Sequence, residues 1–142
     1  MKKSRELIKE FEGFRAKPYT DSGGVWTIGY GTTKGVNKDT PVVTEAQADA
    51  LLARDIASTE MAINRGVKVP LSDNQRAALI SFVYNIGSGA FARSTLLRML
   101  NNGHYEQAAW QILRWDKVKG KVVSGLVARR LKEKELFMKD MM

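Results

Sequence analysis

The sequence predicts an α+β fold, mostly helical, in which a small antiparallel β-hairpin lobe is joined by a long helix to a larger helical lobe. Three observations carry this. Two capping boxes, Thr44-Glu45-Ala46-Gln47 and Ser72-Asp73-Asn74-Gln75, each open an apolar run at helical spacing. Two short strand-like runs, KPYTD and VWTIGYG, flank a Ser-Gly-Gly turn. From residue 44 onward the chain reads as helices and short connections.

The elements follow in order. Ser4 is placed to cap a first helix, RELIKEFE, with Leu7, Ile8 and Phe11 on one side. Gly13 suits the left-handed position that ends it, so Glu12 falls on its last turn. An acid there faces the negative end of the helix dipole, a local rule broken as happens at functional sites. In the hairpin, a three-residue loop at Ser22, Gly23 and Gly24 pairs Asp21 with Val25 and Tyr19 with Thr27. Alternation along the strands then puts Tyr19, Asp21, Val25 and Thr27 on one face and sends Trp26 and Ile28 into the core. A hairpin this small cannot stand alone and must lean on the first helix, which brings Glu12 toward that face.

A polar, turn-rich stretch, GTTKGVNKDTPV, leads to the Thr44 cap. The helix it opens runs to about Asn64 and closes at Gly66, with Leu51, Leu52, Ile56 and Ile63 as apolar positions. The Ser72 box opens a helix through Ala77, Ala78, Leu79, Phe82 and Val83 to Ile86, closed by Gly87. SGAFARSTLLRMLNNG reads as a loop and a short helix stopped by Gly103, and YEQAAWQILRW as a helix with Ala108, Ala109, Ile112 and Trp115 on one stripe. KVKGKVVSG is a basic connection, GLVARRLKEKELF the last helix, and KDMM a frayed tail.

At 142 residues the chain is read as one domain over 1–142. Its small lobe covers about 13–60; its helical lobe covers about 61–142 together with the N-terminal helix 4–12. A chain of this size buries enough surface to need no disulfide or metal staple. There is no Cys, which excludes a disulfide scaffold, a thiol nucleophile and thiolate metal sites. The single His, His104, follows Gly103 in a loop and faces water; no metal site and no G-x-S-x-G elbow goes with it. MKKSRELIKEFEGF is basic without an apolar core or a cleavage site, so the chain is expected to be made in the cytoplasm without a signal peptide.

The net charge is +8, and the excess is uneven. The first sixty residues balance nine Lys or Arg against nine Asp or Glu, whereas Met61 to Lys132 hold twelve bases and three acids. A basic lobe implies attraction to an anionic partner: nucleic acid, a membrane surface or a cell-wall polymer. The plainer reading is a solubilising surface.

Glu12, Asp21 and Thr27 are the candidate catalytic residues. Cleavage of a glycosidic bond needs one acid that delivers a proton and one carboxylate that steers water or attacks the sugar. Glu12, beside Phe11 at a helix end, suits the first role. Asp21, in a turn rich in backbone N–H groups, suits the second, and Thr27 adds a hydroxyl on Asp21's face. Each residue alone has an ordinary explanation in helix ends, turns or strand propensity. The hairpin register is what gathers them.

The spacing E-G-x7-D-x5-T, followed by I-G-Y-G at Ile28 to Gly31, resembles the active-site segment of the phage-type lysozymes and endolysins, the T-even phage lysozyme-like muramidases. NQRAALISFVYNIGSGAF, STLLRMLNNG, YEQAAWQILRW and GLVARRLKEKELF resemble that family's later helices, so the likeness covers nearly the whole chain. It implies a lysozyme-like fold and a muramidase that hydrolyses the β-1,4 bond between N-acetylmuramic acid and N-acetylglucosamine, lysing the host at the end of phage infection. Glu12 would be the general acid, Asp21 the residue placing the water, and Thr27 its helper, with inversion at the sugar. Tyr84 and Asn85 fall where the family lines its cleft. An Arg of the last helix approaches the acid in the family; Arg129 or Arg130 can fill that place, and Arg129 is taken as the substrate-binding candidate. Thr32 stands where some relatives carry a His, so that residue's salt bridge cannot form here.

The resemblance implies no metal and no cofactor. Its implied partners are peptidoglycan glycan strands and the anionic cell envelope, with a separate holin releasing a monomeric enzyme to the wall. Two alternatives remain: a lytic transglycosylase on the same polymer, which would not need Asp21 or Thr27, and a basic nucleic-acid-binding helical protein. The bases are scattered over several helices and match no nucleic-acid-binding motif, which disfavours nucleic acid.

Overall fold

The computed structural model describes residues 2–141. It is an α+β fold, mostly helical, with a small antiparallel sheet near the front. The first helix, α1 (Lys2–Glu12), ends in Gly13, whose φ of +69° and N–H bond to the Lys9 carbonyl stop it where glycine was expected to. Its beginning differs from the sequence reading. Ser4 is not a cap; it lies within the helix and is buried, and Lys2 and Lys3 are already helical. Ile8 is the residue of α1 that enters the core, while Leu7 and Phe11 are only half-buried.

Strands β1 (Arg15–Thr20) and β2 (Trp26–Gly29) pair antiparallel with Tyr19 opposite Thr27 and Thr20 opposite Trp26. That is the expected register, closed by the Asp21 N–H to the Val25 carbonyl. Between Arg15 and Tyr19 the register slips, a bulge that the sequence did not announce. Ile28 is buried as expected, but Trp26 is exposed. Edge strands of a two-stranded sheet cover only part of one face, and the neighbouring α2 packs on β2 where Ala48 meets Gly29.

Helix α2 (Glu45–Gly66) opens on the Thr44 capping box with both reciprocal bonds made, and α3 (Asp73–Ile86) opens on the Ser72 box in the same way. Gly87, at φ +93°, closes α3. From Asn74 to Val83 nearly every α3 residue is buried, so this helix is wrapped by its neighbours rather than lying on a surface. Helices α1, α2 and α7 (Ser124–Met138) all pack on it. The expected loop after Gly87 contains a one-turn helix, α4 (Ser88–Ala92). Ser94 then caps α5 (Thr95–Asn101), which packs on α6 (Tyr105–Ile112). Phe82 of α3 meets Trp115 edge-on, with ring centroids 5.9 Å apart. The basic connection is a tight hairpin, β3 (Lys117–Val118) with β4 (Lys121–Val122), turned by Lys119 and Gly120 in left-handed conformations. Lys139 to Met141 form the last described turn, and Met142 of the expected frayed tail lies outside the described residues.

Candidate active site

Glu12 is carried to the site by the abrupt end of α1. Its Oε2 accepts from Arg129 Nη1 at 2.8 Å, so the last helix reaches back to the first. Of the two candidate arginines, Arg129 is the one at Glu12. It is 3 % exposed and held on all sides. Nε reaches Glu133 at 3.2 Å, Nη2 donates to the Ser81 carbonyl at 3.1 Å, and Phe11 covers the guanidinium at 5.7 Å. The guanidinium of Arg129, the substrate-binding candidate, is engaged with Glu12, Glu133 and Ser81. Arg130 donates from Nη2 to Asn85 Oδ1.

The other wall of the Glu12 carboxyl is backbone. A Cβ on Gly31 would stand 2.9 Å from Glu12 Oε1, and Gly31 adopts φ +93°. The second glycine of I-G-Y-G makes room for the acid, a role the sequence pattern alone did not reveal. The signal was there: two glycines in four residues mark a strand end where backbone comes close to something. Tyr30 between them is buried, with Phe14 at 5.6 Å and Lys9 over its ring at 4.9 Å.

Asp21 lies at the hairpin tip and is exposed. Its Oδ1 accepts from the Gly23 and Val25 N–H groups, both at 2.9 Å, so the side chain ties the turn from within. Thr27 is buried on β2, and its hydroxyl donates to the Val25 carbonyl at 2.9 Å. Tyr19 lies opposite Thr27 on β1. Burial pushes its phenol up, and the negative charges of Glu12 and Asp21 push it further, with Arg15 opposing from 4.3 Å over the ring.

Tyr84 is half-buried; its hydroxyl donates to the Tyr30 carbonyl at 2.7 Å, beside Gly31. Burial raises its pKa, aided by the charges of Asp55 and Glu12 and opposed by Arg129. Asp55 comes from α2 and accepts the Thr32 hydroxyl at 2.7 Å. Asn85 is exposed at the end of α3. The structure thus brings Glu12, Tyr84 and Asp55 to the backbone of residues 30–32, with Arg129 on Glu12, and holds Asp21 at the hairpin tip by its own turn bonds. The sequence analysis placed Tyr19 and Gly31 without giving either a role at the site, and did not single out Asp55, Ser81 or Glu133.

Comparison with known proteins adds four likenesses. The family model described as phage lysozyme matches residues 9–133. The chain is similar to an endolysin of Acyrthosiphon pisum secondary endosymbiont phage 1, 46 % identical over 135 residues that cover 92 % of each chain. Among solved structures it resembles the muramidase domain of SpmX from Asticaccaulis excentricus, with TM-score 0.87, 39 % identity, and coverage of 97 % of this chain and 96 % of that one. It also resembles a P22 lysozyme mutant, with TM-score 0.81, 39 % identity and 97 % of each chain covered.

Proposed function

The chain belongs to the phage lysozyme family, and from that premise we propose that Glu12, Asp21 and Thr27 hydrolyse the β-1,4 bond between N-acetylmuramic acid and N-acetylglucosamine with inversion. It is a lysozyme-type glycosidase, a peptidoglycan-lytic endolysin of host lysis. Neither alternative, transglycosylase or nucleic-acid-binding protein, is favoured by the comparisons.

In this reading Glu12 gives its proton to the glycosidic oxygen. Asp21 holds the attacking water. Its two turn bonds fall on Oδ1, which leaves Oδ2 for that water, and the Thr27 hydroxyl oxygen accepts from the same molecule. Inversion requires carboxyl groups roughly 6.5–9.5 Å apart, leaving room for water between acid and sugar. Tyr84 and Asn85 border the glycan, and Arg129 serves it by holding Glu12. The observation that carries the reading is the enclosure of one Glu12 oxygen by Gly31 and of the other by Arg129, because a proton donor must be held in one geometry.

Residues 1–142 act as one lysozyme domain, with residues of about 13–60 on one side of the glycan and the helical lobe on the other. The enzyme works as a monomer on the wall, after a separate holin opens the membrane, and its positive lobe favours the anionic envelope. No helix among the described residues is long and apolar enough to cross a membrane.

The test is clearing of purified peptidoglycan by the wild type and by Glu12→Gln, with analysis of the sugar ends formed. The expected result is loss of nearly all lysis in a folded variant, and wild-type products that are reducing N-acetylmuramic acid ends of inverted configuration. Wild-type clearing by Glu12→Gln removes the acid assignment. Anhydro ends would identify a transglycosylase, and retained configuration would exclude the water-placing role of Asp21.

A further inference from the structure

Glu133 is an acid that the proposed chemistry does not use, and it is completely buried. It lies on α7 one turn beyond Arg129 and Arg130 and meets both, Arg129 Nε at 3.2 Å from Oε2 and Arg130 Nη1 at 3.2 Å from Oε1. Ser81, from the core helix α3, donates its hydroxyl to Oε2 at 2.6 Å. Each guanidinium then turns a remaining nitrogen to one residue of the proposed cleft. Arg129 Nη1 holds Glu12, and Arg130 Nη2 holds Asn85.

We infer that Glu133 is a positioning residue, which locks Arg129 and Arg130 and through them sets the Glu12 carboxyl and the Asn85 amide. The inference rests on Glu12 being the proton donor. Stability alone accounts poorly for the cluster. Buried ion triads often contribute no more than apolar side chains of the same volume. Here Arg130 Nε and Nη1 and Glu133 Oε1 lack well-aligned hydrogen bonds, so the triad is imperfectly satisfied. Burial pushes the Glu133 carboxyl up, while Arg130, Arg129 and the Ser81 hydroxyl pull against it. What the cluster does well is orient. A guanidinium fixed at one edge by a carboxylate presents its other edge in one direction. Phe11 and Phe82 cover the two guanidinium faces, at 5.7 and 5.1 Å. The charged and titratable groups facing the cluster from other elements are Glu12 of α1, Tyr84 of α3 and Asp116 before β3.

Glu133→Gln keeps the size and removes the charge. Arg129 is then left with Glu12 as its one carboxylate partner and holds it more firmly as the anion. A proton donor is active only while protonated, so the alkaline limb of kcat against pH moves to lower pH, by about one unit. At neutral pH kcat falls about tenfold while KM changes by less than about twofold. Leu100→Ala, a truncation in the buried core of α5, controls for lost stability: Tm falls and the limb stays in place. Where Glu133→Gln does not fold, Glu133→Asp is read instead. Its carboxylate, one methylene further back, loosens its grip on Arg129, and the limb moves the same way by a smaller amount. A folded Glu133 variant whose limb coincides with the wild type overturns the inference, as does an equal shift in Leu100→Ala. Neither result touches the role of Glu12. An active Glu12→Gln enzyme would instead remove the reading on which this inference stands.

Discussion

Gly31 runs against the Glu12 carboxyl so closely that a Cβ there would stand 2.9 Å from Oε1 and 3.0 Å from Cδ. The backbone φ of +93° is also one that side-chain-bearing residues avoid. Gly31→Ala therefore meets two penalties. Backbone strain costs about 1–3 kcal/mol of stability. The displaced carboxyl costs activity, because an ångström of misplacement at a reacting group is worth about 100-fold. The expected outcome is a folded enzyme with Tm lower by several degrees and kcat/KM lower by about two orders of magnitude. Gly13→Ala is the comparison: its φ of +69° is strained too, but no atom lies within 4 Å of its added Cβ. Equal activity losses in the two variants would mean that strain alone, and not contact with Glu12, explains the effect.

Asp21 has two possible duties that substitution can separate. Its Oδ1 ties the hairpin turn through the Gly23 and Val25 N–H groups. Asparagine keeps an acceptor oxygen at that place and removes the charge. Asp21→Asn is thus expected to unfold within about 0.5 kcal/mol of the wild type, yet to clear peptidoglycan slower by about 10³-fold or more. Asp21→Ala should lose both, with about 1–2 kcal/mol of stability gone along with the turn bonds. Thermal unfolding and a clearing assay on the same samples decide the matter. Near-full activity in Asp21→Asn would leave Asp21 as a turn residue only.

What was legible in the sequence was local. Thr44 and Ser72 announced their helices because a capping box lies within four residues and needs nothing else from the fold. The pairing of Tyr19 with Thr27 followed from loop length alone. Errors arose where neighbours decide. Ser4 looked like a cap until packing against the core extended α1 past it. Trp26 had the hydrophobicity of a core residue but remains 36 % exposed at the start of β2, while Ile28 on the same face is buried. The β3–β4 hairpin escaped because two-residue strands carry no period, and its turn places Lys119, not glycine, at φ +50°. The enclosure of Glu12 was the least legible part. Arg129 and Ser81 are 48 residues apart, and Ser81 and Glu133 are 52 apart, so no spacing rule connects them. Only the packing of α7 on α3 does so.

Tyr84 supplies a pH dependence whose sign can be worked out. Its hydroxyl donates to the Tyr30 carbonyl, and its pKa is raised above the ordinary 10.0, first by burial and then by the charges of Asp55 and Glu12. Above pH 10 the unfolded chain therefore releases this proton while the folded protein still holds it. The folded state binds more protons in that range, so stability falls as pH rises through it. Tyr84→Phe removes the group and with it this part of the slope. The variant also leaves the Tyr30 carbonyl without its partner, at a cost of about 1 kcal/mol at neutral pH. Denaturant unfolding of both proteins at neutral pH and at several points above pH 10 should give curves that converge as pH increases. Tyrosinate absorbance should show Tyr84 among the last tyrosines to ionise, at the point where the fold opens. Parallel curves, with the wild type keeping its full advantage in alkali, would mean that the Tyr84 proton is no more firmly held in the folded protein than in the unfolded chain.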